Sequence, residues 1–281
     1  MNNLAIVYWY EGKYAQAVAL ASQTLEIERR VLGPEHRDTL SSMTNLAIVY
    51  GDEGKYAQAE ALENPTLEIE RRVLGPEHPY ALRSMYNLAK LYEDEDRHAR
   101  AEALFSQTLE IQRRVLGPES SPTLSTLSDF AAMYQREGNY ALAETYAAQA
   151  LAGRRHALGT EHPNTMASAA DLALAYLSQG KFAESVPLTR EVVEVDQKKQ
   201  PDNWQRFRAE SLLGTSLAGE KKYAEAEPLL LEGYQGMLAR NDRIAAHDRY
   251  HVQLAHQWLV QLYKDWGKPR NAPEMSKNLE R

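Results

Sequence analysis

The chain repeats itself with a period of 42 residues, and this repetition limits the folds it can adopt more than any other feature. Residues 3–36 match residues 45–78 at 28 of 34 positions. A Leu-Ala-x-x-Tyr element, with phenylalanine in place of leucine in the fourth copy, begins at Leu4, Leu46, Leu88, Phe130 and Leu172. Two degenerate copies begin at Leu213 and Leu259. The sequence therefore contains about seven related units.

Each unit is predicted to form a hairpin of two helices, which we call helix A and helix B. Apolar residues at spacings of three and four mark one face of helix A in the second unit: Leu40, Met43, Leu46, Ala47 and Tyr50. Helix B carries the apolar residues Tyr56, Ala59, Leu62, Leu67 and Ile69, with small alanines where the two backbones approach. Gly54 stands between them and is expected to end helix A in a left-handed conformation. A Leu-Gly-Pro-Glu-His linker ends helix B, because proline cannot continue a helix.

A hairpin of this size cannot bury its apolar face alone, so the units must stack into an all-α solenoid. The Leu-Ala-x-x-Tyr, Gly-Lys-Tyr and Ala-x-Ala pattern resembles the tetratricopeptide repeat. The 42-residue period and the Leu-Gly-Pro-Glu-His-Pro linker resemble the kinesin light chain type of that repeat. The resemblance implies a right-handed α-solenoid of stacked antiparallel helix hairpins, whose helices A line a concave groove.

The repeats differ in regularity along the chain. We predict a single solenoid over residues 1–281, with regular 42-residue repeats in residues 1–198. Residues 199–281 are predicted to hold degenerate repeats and a C-terminal capping unit with a polar outer face. The first unit lacks the residues that open helix A in the second unit, so we expect the chain to be a fragment of a longer protein.

Composition argues against several classes of function. The net charge is −7 and the pI is about 5.7, so no global basic field attracts nucleic acid. The absence of cysteine excludes disulfides, thiolate metal sites and cysteine nucleophiles. No apolar run reaches the roughly 18 residues of a membrane helix and no signal peptide is recognisable, so we expect no membrane partner and a cytoplasmic location.

No catalytic signature is recognisable in the sequence. The segment Gly214 to Glu220 has glycines at a phosphate-loop spacing, but a glutamate stands where the phosphate-binding lysine belongs. We therefore expect a protein that is not an enzyme and needs no cofactor.

A ladder of polar residues precedes the Leu-Ala elements. Its members, one in each of the first five units, are Asn3, Asn45, Asn87, Asp129 and Asp171. An amide both donates and accepts hydrogen bonds, and the resemblance implies that the asparagines hold the backbone of a bound peptide. The alternative is that these residues satisfy helix ends or contacts between helices. Because the last two members are aspartates, we predict that binding of the peptide backbone by this ladder weakens toward the C-terminal half.

Three further candidates flank Asn87 at helical spacing in the third unit: Arg83, Tyr86 and Lys90. A cation beside an aromatic ring suits an acidic or aromatic side chain of a bound peptide. The alternative is an exposed, solvated face. The acidic run from Glu93 to Asp96 lies nearby and is predicted to be a solvated turn.

Paired arginines end three helices B, at Arg29-Arg30, Arg71-Arg72 and Arg113-Arg114. Phosphate or nucleic acid binding is one interpretation. We favour a structural role, because cations suit a helix C-terminus and Glu26, Glu68 and Glu110 lie four residues before the second arginine.

The histidines raise the question of a metal site. His36, His78 and His162 lie whole repeats apart, too far for one ion, since ligands bind at roughly 2 Å. His247, His251 and His256 include one pair at four-residue spacing without a His-Glu-x-x-His motif. We predict no metal site.

Asn64-Pro65 interrupts helix B of the second unit, and proline removes a helix hydrogen bond. We expect a kink or local unwinding there.

These features predict a protein-interaction module that binds a peptide or helix of a partner in its groove. One alternative is a non-catalytic recruiting or regulatory tail of a multidomain signalling protein, because the segment from Tyr234 to Pro269 resembles the end of repeat-bearing bacterial serine/threonine kinases. The other alternative is a scaffold that self-associates through its terminal repeats.

Overall fold

The computed structural model of the chain describes residues 2–244 and 248–268, without the side chains of Asn2, Asn3 and Tyr10. These residues form thirteen α-helices, one short 3-10 helix and no strand. The helices in the A position are α1 (Asn2–Tyr10), α3 (Arg37–Asp52), α5 (Pro79–Asp94), α7 (Ser121–Arg136), α9 (Pro163–Ser178), α11 (Trp204–Gly219) and α13 (Tyr250–Asp265). Those in the B position are α2 (Tyr14–Val31), α4 (Tyr56–Val73), α6 (His98–Val115), α8 (Tyr140–Leu158), α10 (Phe182–Lys199) and α12 (Tyr223–Leu238). The predicted all-α architecture is confirmed.

The chain divides into two compact units, Met1–Thr126 (unit 1) and Leu127–Arg281 (unit 2). In unit 1, successive helices pack together from α1 to α6, and α3 also contacts α5. In unit 2, successive helices pack together from α8 to α13, with further contacts of α11 to α9 and to α13. The predicted change of regularity at residue 198 stays a prediction, and the residues proposed to complete the cap, Lys277 to Arg281, lie outside the described ranges.

Helices A and B approach each other over one small residue near the start of helix B. That residue is fully buried in six hairpins: Ala17, Ala59, Ala101, Ala143, Ser185 and Ala226. A larger side chain at this position would hold the two backbones apart, because interiors are close-packed. The Ala-x-Ala pattern of the sequence is therefore a packing requirement.

A left-handed turn joins helix A to helix B. Gly12, Gly54, Gly138 and Gly180 have positive φ there, as the sequence predicts. Asp96 and Lys221 occupy the same turn in two other hairpins and also have positive φ, 56° and 64°. The packing of the two helices imposes a positive φ at this position even where the residue is not glycine.

The linker histidines cap the helices A that follow them. In His36, His78 and His162, Nδ1 accepts a hydrogen bond at 3.1–3.2 Å from the backbone amide two residues later. Asn203 caps α11 through Oδ1 at 3.2 Å, and Ser120 takes the corresponding place before α7. Each of these side chains thus satisfies an amide that the first turn of a helix leaves without a partner.

The arginine pairs hold the linkers in place. Arg114 donates two hydrogen bonds to Glu77, at 2.7 and 3.0 Å, and Arg72 makes the equivalent pair with Glu35. Arg72 and Arg114 each bind the linker glutamate 37 residues earlier, which supports the structural role. The hydrogen bond and charge of Glu77 raise the pKa of Arg114, and the charge of Glu110, four residues earlier, raises it further. A bidentate pair needs the carboxylate to face the guanidinium plane, and the linker offers that geometry.

Pro65 lies inside an unbroken helix. The α4 helix runs from Tyr56 to Val73, the same 18 residues in length as α2 and α6. The predicted local unwinding does not occur, whereas the predicted kink stays a prediction. Both α3 and α5 pack against α4.

Candidate functional site

The predicted site residues of unit 1 lie on two neighbouring helices A. Asn45 lies on α3, whereas Arg83, Tyr86, Asn87 and Lys90 lie on α5. Arg83 is exposed and the other four are half-buried. Asn3 belongs to α1, but its side chain lies outside the described part of the chain. The face formed by α3 and α5 therefore carries most of the predicted site.

Two of these side chains already contact other residues. The guanidinium of Arg83 lies 5.3 Å from the centre of the Tyr80 ring, and Arg37 lies 5.0 Å from the same ring. The ring of Tyr86 packs edge-on against buried Phe105, with 6.0 Å between ring centres. Tyr86 thus contributes to the packing of α5 on α6 as well as to the surface.

The acidic members of the ladder lie in unit 2, Asp129 on α7 and Asp171 on α9. Asp171 accepts a hydrogen bond of 2.7 Å from Arg208 on α11, and Arg208 is buried. Burial alone would lower the pKa of Arg208, but the charge of Asp171 and its hydrogen bond raise it, so Arg208 keeps its charge. Asp171 therefore makes a contact between helices, which is the alternative to peptide binding for this ladder.

A cavity of about 130 Å³ opens between α3 and α5, with α4 at its base. Asn87 and Lys90 line it, together with the rim carboxylates Asp52 and Asp94 and the buried Glu63. The remaining wall is apolar or small and consists of Ala47, Ile48, Gly51, Ala59 and Leu91. Two of the predicted site residues therefore border a real concavity.

Glu63 is a buried carboxyl group at the base of this cavity. Its side chain is only 2% exposed, and burial raises its pKa to about 8, although a hydrogen bond from Asn87 opposes the shift. The Asn87 amide nitrogen lies 3.4 Å from Glu63 Oε1. Glu63 Oε2 makes no hydrogen bond of good geometry among the described residues, although the Ser84 hydroxyl is close enough to lower the Glu63 pKa. A buried acceptor without such a hydrogen bond is unusual, because it forfeits the hydrogen bonds it makes in water.

Negative charge also surrounds the mouth of the cavity. Burial raises the pKa of Tyr56, and four carboxylates raise it further: Asp94, Glu95, Asp96 and Asp52. Tyr56 thus reports a negative potential produced jointly by the ends of α3 and α5. The acidic run is not the solvated turn that the sequence predicts, because Glu93 and Asp94 lie in α5, Glu93 is buried and Glu95 pairs with Arg97. Asp94, Glu95 and Asp96 add to the negative field at this mouth.

Glu63 is not among the predicted site residues, although the sequence contains a signal for it. Residues 3–36 and 45–78 differ at six positions, which in the second unit are Gly51, Asp52, Glu60, Glu63, Asn64 and Pro65. Three of them line the cavity. Because the two units are otherwise nearly identical, these six positions indicate where their functions differ.

Other candidate clusters in the described residues are accounted for by packing. His251 packs against the rings of Trp204 and Tyr250, and the His256 ring lies 5.4 Å from that of Tyr234; His247 lies outside the described ranges. Within these ranges, no group of three or more histidine, aspartate or glutamate side chains is arranged to hold a metal ion. None of the described helices is both long and apolar enough to cross a membrane.

The repeated helix hairpins, with a cavity between the helices A of two of them, are features of a helical repeat protein. The sequence model of the tetratricopeptide repeat matches residues 1–69, 54–114, 85–155 and 122–198, more than half of the chain. The chain belongs to the tetratricopeptide repeat family. Repeats of this family generally mediate protein–protein interactions and are typically non-catalytic.

Solved structures of similar fold include proteins of the kinesin light chain type. A kinesin light chain-like protein from Podosopora anserina with nearly identical TPR-like repeats is 28% identical, with a TM-score of 0.63 over 74% of this chain and 99% of that one. BtubC (BKLC) from P. vanneervenii is 19% identical, with a TM-score of 0.70 over 81% of this chain and 92% of that one. The predicted resemblance is confirmed.

A third similar structure belongs to a larger protein. The signal transduction ATPase with a tetratricopeptide repeat sensor from Pyrococcus horikoshii is 17% identical, with a TM-score of 0.72 over 98% of this chain and 41% of that one. At this identity, the similarity concerns the fold alone. No curated protein matches the chain.

Replacement of Glu63 by glutamine is predicted to change how stability depends on pH. The pKa of Glu63 is about 8 in the folded protein, against 4.5 for a free side chain, so only the folded state keeps the proton between these pH values. The Glu63 contribution to the free energy of unfolding is therefore complete below pH 4.5 and is lost as the pH rises to about 8. We expect Glu63→Gln to gain a few kcal/mol relative to wild type across this range.

Urea unfolding followed by circular dichroism between pH 5 and pH 8.5 tests this prediction. Glu68→Gln is the matched control, because Glu68 lies exposed on the same helix. Asp196 and Glu210 titrate equally in all three proteins, whereas the charge of Glu70 acts on Glu63, so the difference curve reports Glu63 together with its coupling to Glu70. A difference between Glu63→Gln and wild type that does not vary with pH contradicts the assignment.

The pair of Asp171 and Arg208 is predicted to respond unequally to the loss of its two members. Asp171→Asn leaves the buried Arg208 charge without its partner and should cost about 3 kcal/mol. Arg208→Met should cost less, since Asp171 is 31% exposed and can be hydrated. The double variant should recover part of the loss in a double-mutant cycle measured by urea unfolding. A double variant whose cost equals the sum of the two single costs would show that the charges are independent.

Proposed function

We propose that the chain is a protein-interaction module that binds a peptide or helix of a partner on the face formed by α3 and α5. The observation that carries the proposal is the cavity between these helices, bordered by two predicted site residues, Asn87 and Lys90. Membership of a family whose repeats generally mediate protein–protein interactions supports it. No catalytic role is proposed for these residues.

The proposed mechanism combines shape with hydrogen bonding. Asn45 and Asn87 lie on adjacent helices A at the same repeat position, where their amides can hold the main chain of a bound segment. The cavity can then accept one side chain of that segment and supply an anchor contact. Because Asp171 is already paired with Arg208, we propose that the asparagines and not the aspartates provide the grip.

Site-directed photo-crosslinking tests the face. A photo-reactive amino acid at position 45 on α3 should crosslink a partner from lysate of the source cells, whereas the same group at exposed Gln107 on α6 should not. The captured partner should bind Asn45→Ala/Asn87→Ala at least about tenfold more weakly, since each lost contact is worth roughly 1 kcal/mol.

The matched control is Gln16→Ala/Gln107→Ala, which removes two exposed amides from helices B. Circular dichroism checks that all variants are folded. Equal binding by both double variants would exclude the face of α3 and α5 for that partner.

Self-association is a second candidate, favoured by an exposed apolar pair on α1. Leu4 and Val7 are 49% and 47% exposed, whereas the equivalent Leu46 and Val49 are buried. We expect the mass measured by sedimentation to rise with concentration in wild type but not in Leu4→Glu/Val7→Glu. A constant mass in both would remove this candidate. The role as a recruiting or regulatory tail of a signalling kinase stays a hypothesis, which kinase motifs in the parent reading frame would support.

A further inference from the structure

The cavity between α3 and α5 carries an excess of acidic groups. Three carboxyl groups line it, those of Asp52, Glu63 and Asp94, against the single ammonium group of Lys90. Asp52 accepts a hydrogen bond from the Trp9 indole at 2.6 Å, so its carboxylate is held in place at the rim. A cavity with this balance of charge favours a cationic occupant.

The base of the cavity contains an acceptor suited to such an occupant. Glu63 is almost fully buried, and only one of its oxygens, Oε1, lies near the Asn87 amide. The other oxygen, Oε2, makes no hydrogen bond of good geometry among the described residues, although the Ser84 hydroxyl is close enough to lower the Glu63 pKa. Folding has removed the neutral carboxyl group from water, and an ammonium group that enters the cavity can pair with the carboxylate once Glu63 releases its proton.

The size and the walls of the cavity suit a narrow alkyl chain. Ala47, Ala59 and Leu91 are buried and supply an apolar wall. The volume of about 130 Å³ is close to the roughly 150 Å³ of an apolar cavity that admits benzene, with its six carbon atoms. A lysine side chain has five non-hydrogen atoms beyond Cα, four carbons and the terminal nitrogen.

The cavity arises from the few residues that distinguish the second unit from the first. Gly51 replaces Trp9, Asp52 replaces Tyr10 and Glu63 replaces Ala21. Gly51 leaves room, because a Cβ atom built there would already lie 3.4 Å from the Leu91 side chain. Space, a rim carboxylate and a buried acceptor therefore occur together in a unit that otherwise copies its neighbour.

We propose that this cavity receives the side chain of a lysine from the partner segment, with its ammonium group on Glu63 Oε2 and its methylenes against the apolar wall. The proposal rests on the proposed function, because the lysine belongs to the segment held by α3 and α5. Lysine fits better than arginine, since one available oxygen satisfies a point charge but not a bidentate guanidinium.

The proposal differs from the acidic or aromatic side chain that the sequence predicts beside Arg83, Tyr86 and Lys90. Lys90 separates the two possibilities. Its ammonium group competes with a bound lysine for the carboxylates, whereas it would attract a bound acid. Lys90→Met should therefore tighten the binding of an ammonium and weaken the binding of a carboxylate.

Titration of the full-length protein by methyl NMR tests the proposal, with the methyl groups of Ala47, Ala59 and Leu91 as reporters. The probes are n-butylammonium, butyrate, and the N-acetyl methylamides of lysine and norleucine. We expect saturable shifts with n-butylammonium and with the lysine derivative, and none with butyrate or with the norleucine derivative. Binding should weaken at least about tenfold in Glu63→Gln and tighten severalfold in Lys90→Met.

The pH dependence of binding provides a second readout. An ammonium group requires ionised Glu63, and burial raises the pKa of Glu63 to about 8, so binding should strengthen from pH 6 to pH 8.5 with release of a proton. The lysine ammonium stays charged over this range. The other charged groups that border or influence Glu63 are Asp52 on α3, Glu70 on α4, and Arg83, Lys90 and Asp94 on α5. Glu63→Gln removes the part of the pH dependence that belongs to Glu63.

Two controls keep the result interpretable. Glu68→Gln, on the exposed face of α4, should bind all probes as wild type does. Gly51→Leu should fill the cavity and abolish the shifts; if this variant does not fold, the isosteric Glu63→Gln alone decides. Equal binding of n-butylammonium by wild type and Glu63→Gln overturns the proposal, and so does binding of the free amine without binding of the lysine derivative.

The outcomes also separate this inference from the proposed function. A partner that crosslinks at position 45 while no ammonium probe binds the cavity supports the binding face and refutes the lysine pocket. Probe binding at the cavity without any crosslinked partner supports the lysine pocket and refutes the binding face.

Discussion

The apolar face of each hairpin can be buried only against its neighbours, and helices A and B approach closely over one small buried residue. This constraint explains features that look unrelated in the sequence. The alanines set the distance between the two helices, and the left-handed turn sets their direction, so strongly that Asp96 and Lys221 adopt positive φ where glycine is absent. The linker must then begin the next helix A, which the capping histidines allow. Rigid stacking in turn leaves the defined space between α3 and α5 in which Glu63 lies.

The same stacking accounts for where charge is tolerated. Arg114 with Glu77 and Asp171 with Arg208 join neighbouring hairpins, and in each pair the partners lie 37 residues apart. The first pair lies at the surface and fixes a linker, whereas the second includes a buried arginine that depends on its partner. Glu63 differs from both, since its second oxygen makes no hydrogen bond of good geometry to a cation among the described residues. Of these three sites, only Glu63 has an acceptor available for a ligand.

Much of the fold follows from the sequence because its determinants are local. The spacing of Leu40, Met43 and Leu46 predicts helix A, and the turn glycines and the linker proline predict its boundaries, because helical periodicity and turn conformation depend on near neighbours. The candidate site was only partly predictable. Asn87 and Lys90 follow from the repeat position, but Glu63 lies on a helix B, outside the set that a groove made of helices A suggests. Pro65 shows the opposite failure, since a strong local signal for unwinding is overridden by packing.

The period, the hairpins, the turns and the family can be read from the sequence, because each of these is set by contacts within one unit or by recurrence along the chain. Which charged groups meet between hairpins follows from the folded chain alone. Arg114 donates to the linker Glu77, and Asp171 accepts from Arg208. Burial of Glu63 likewise depends on α3 and α5 closing over α4. These outcomes depend on distances between hairpins, and spacing within a single helix does not contain them.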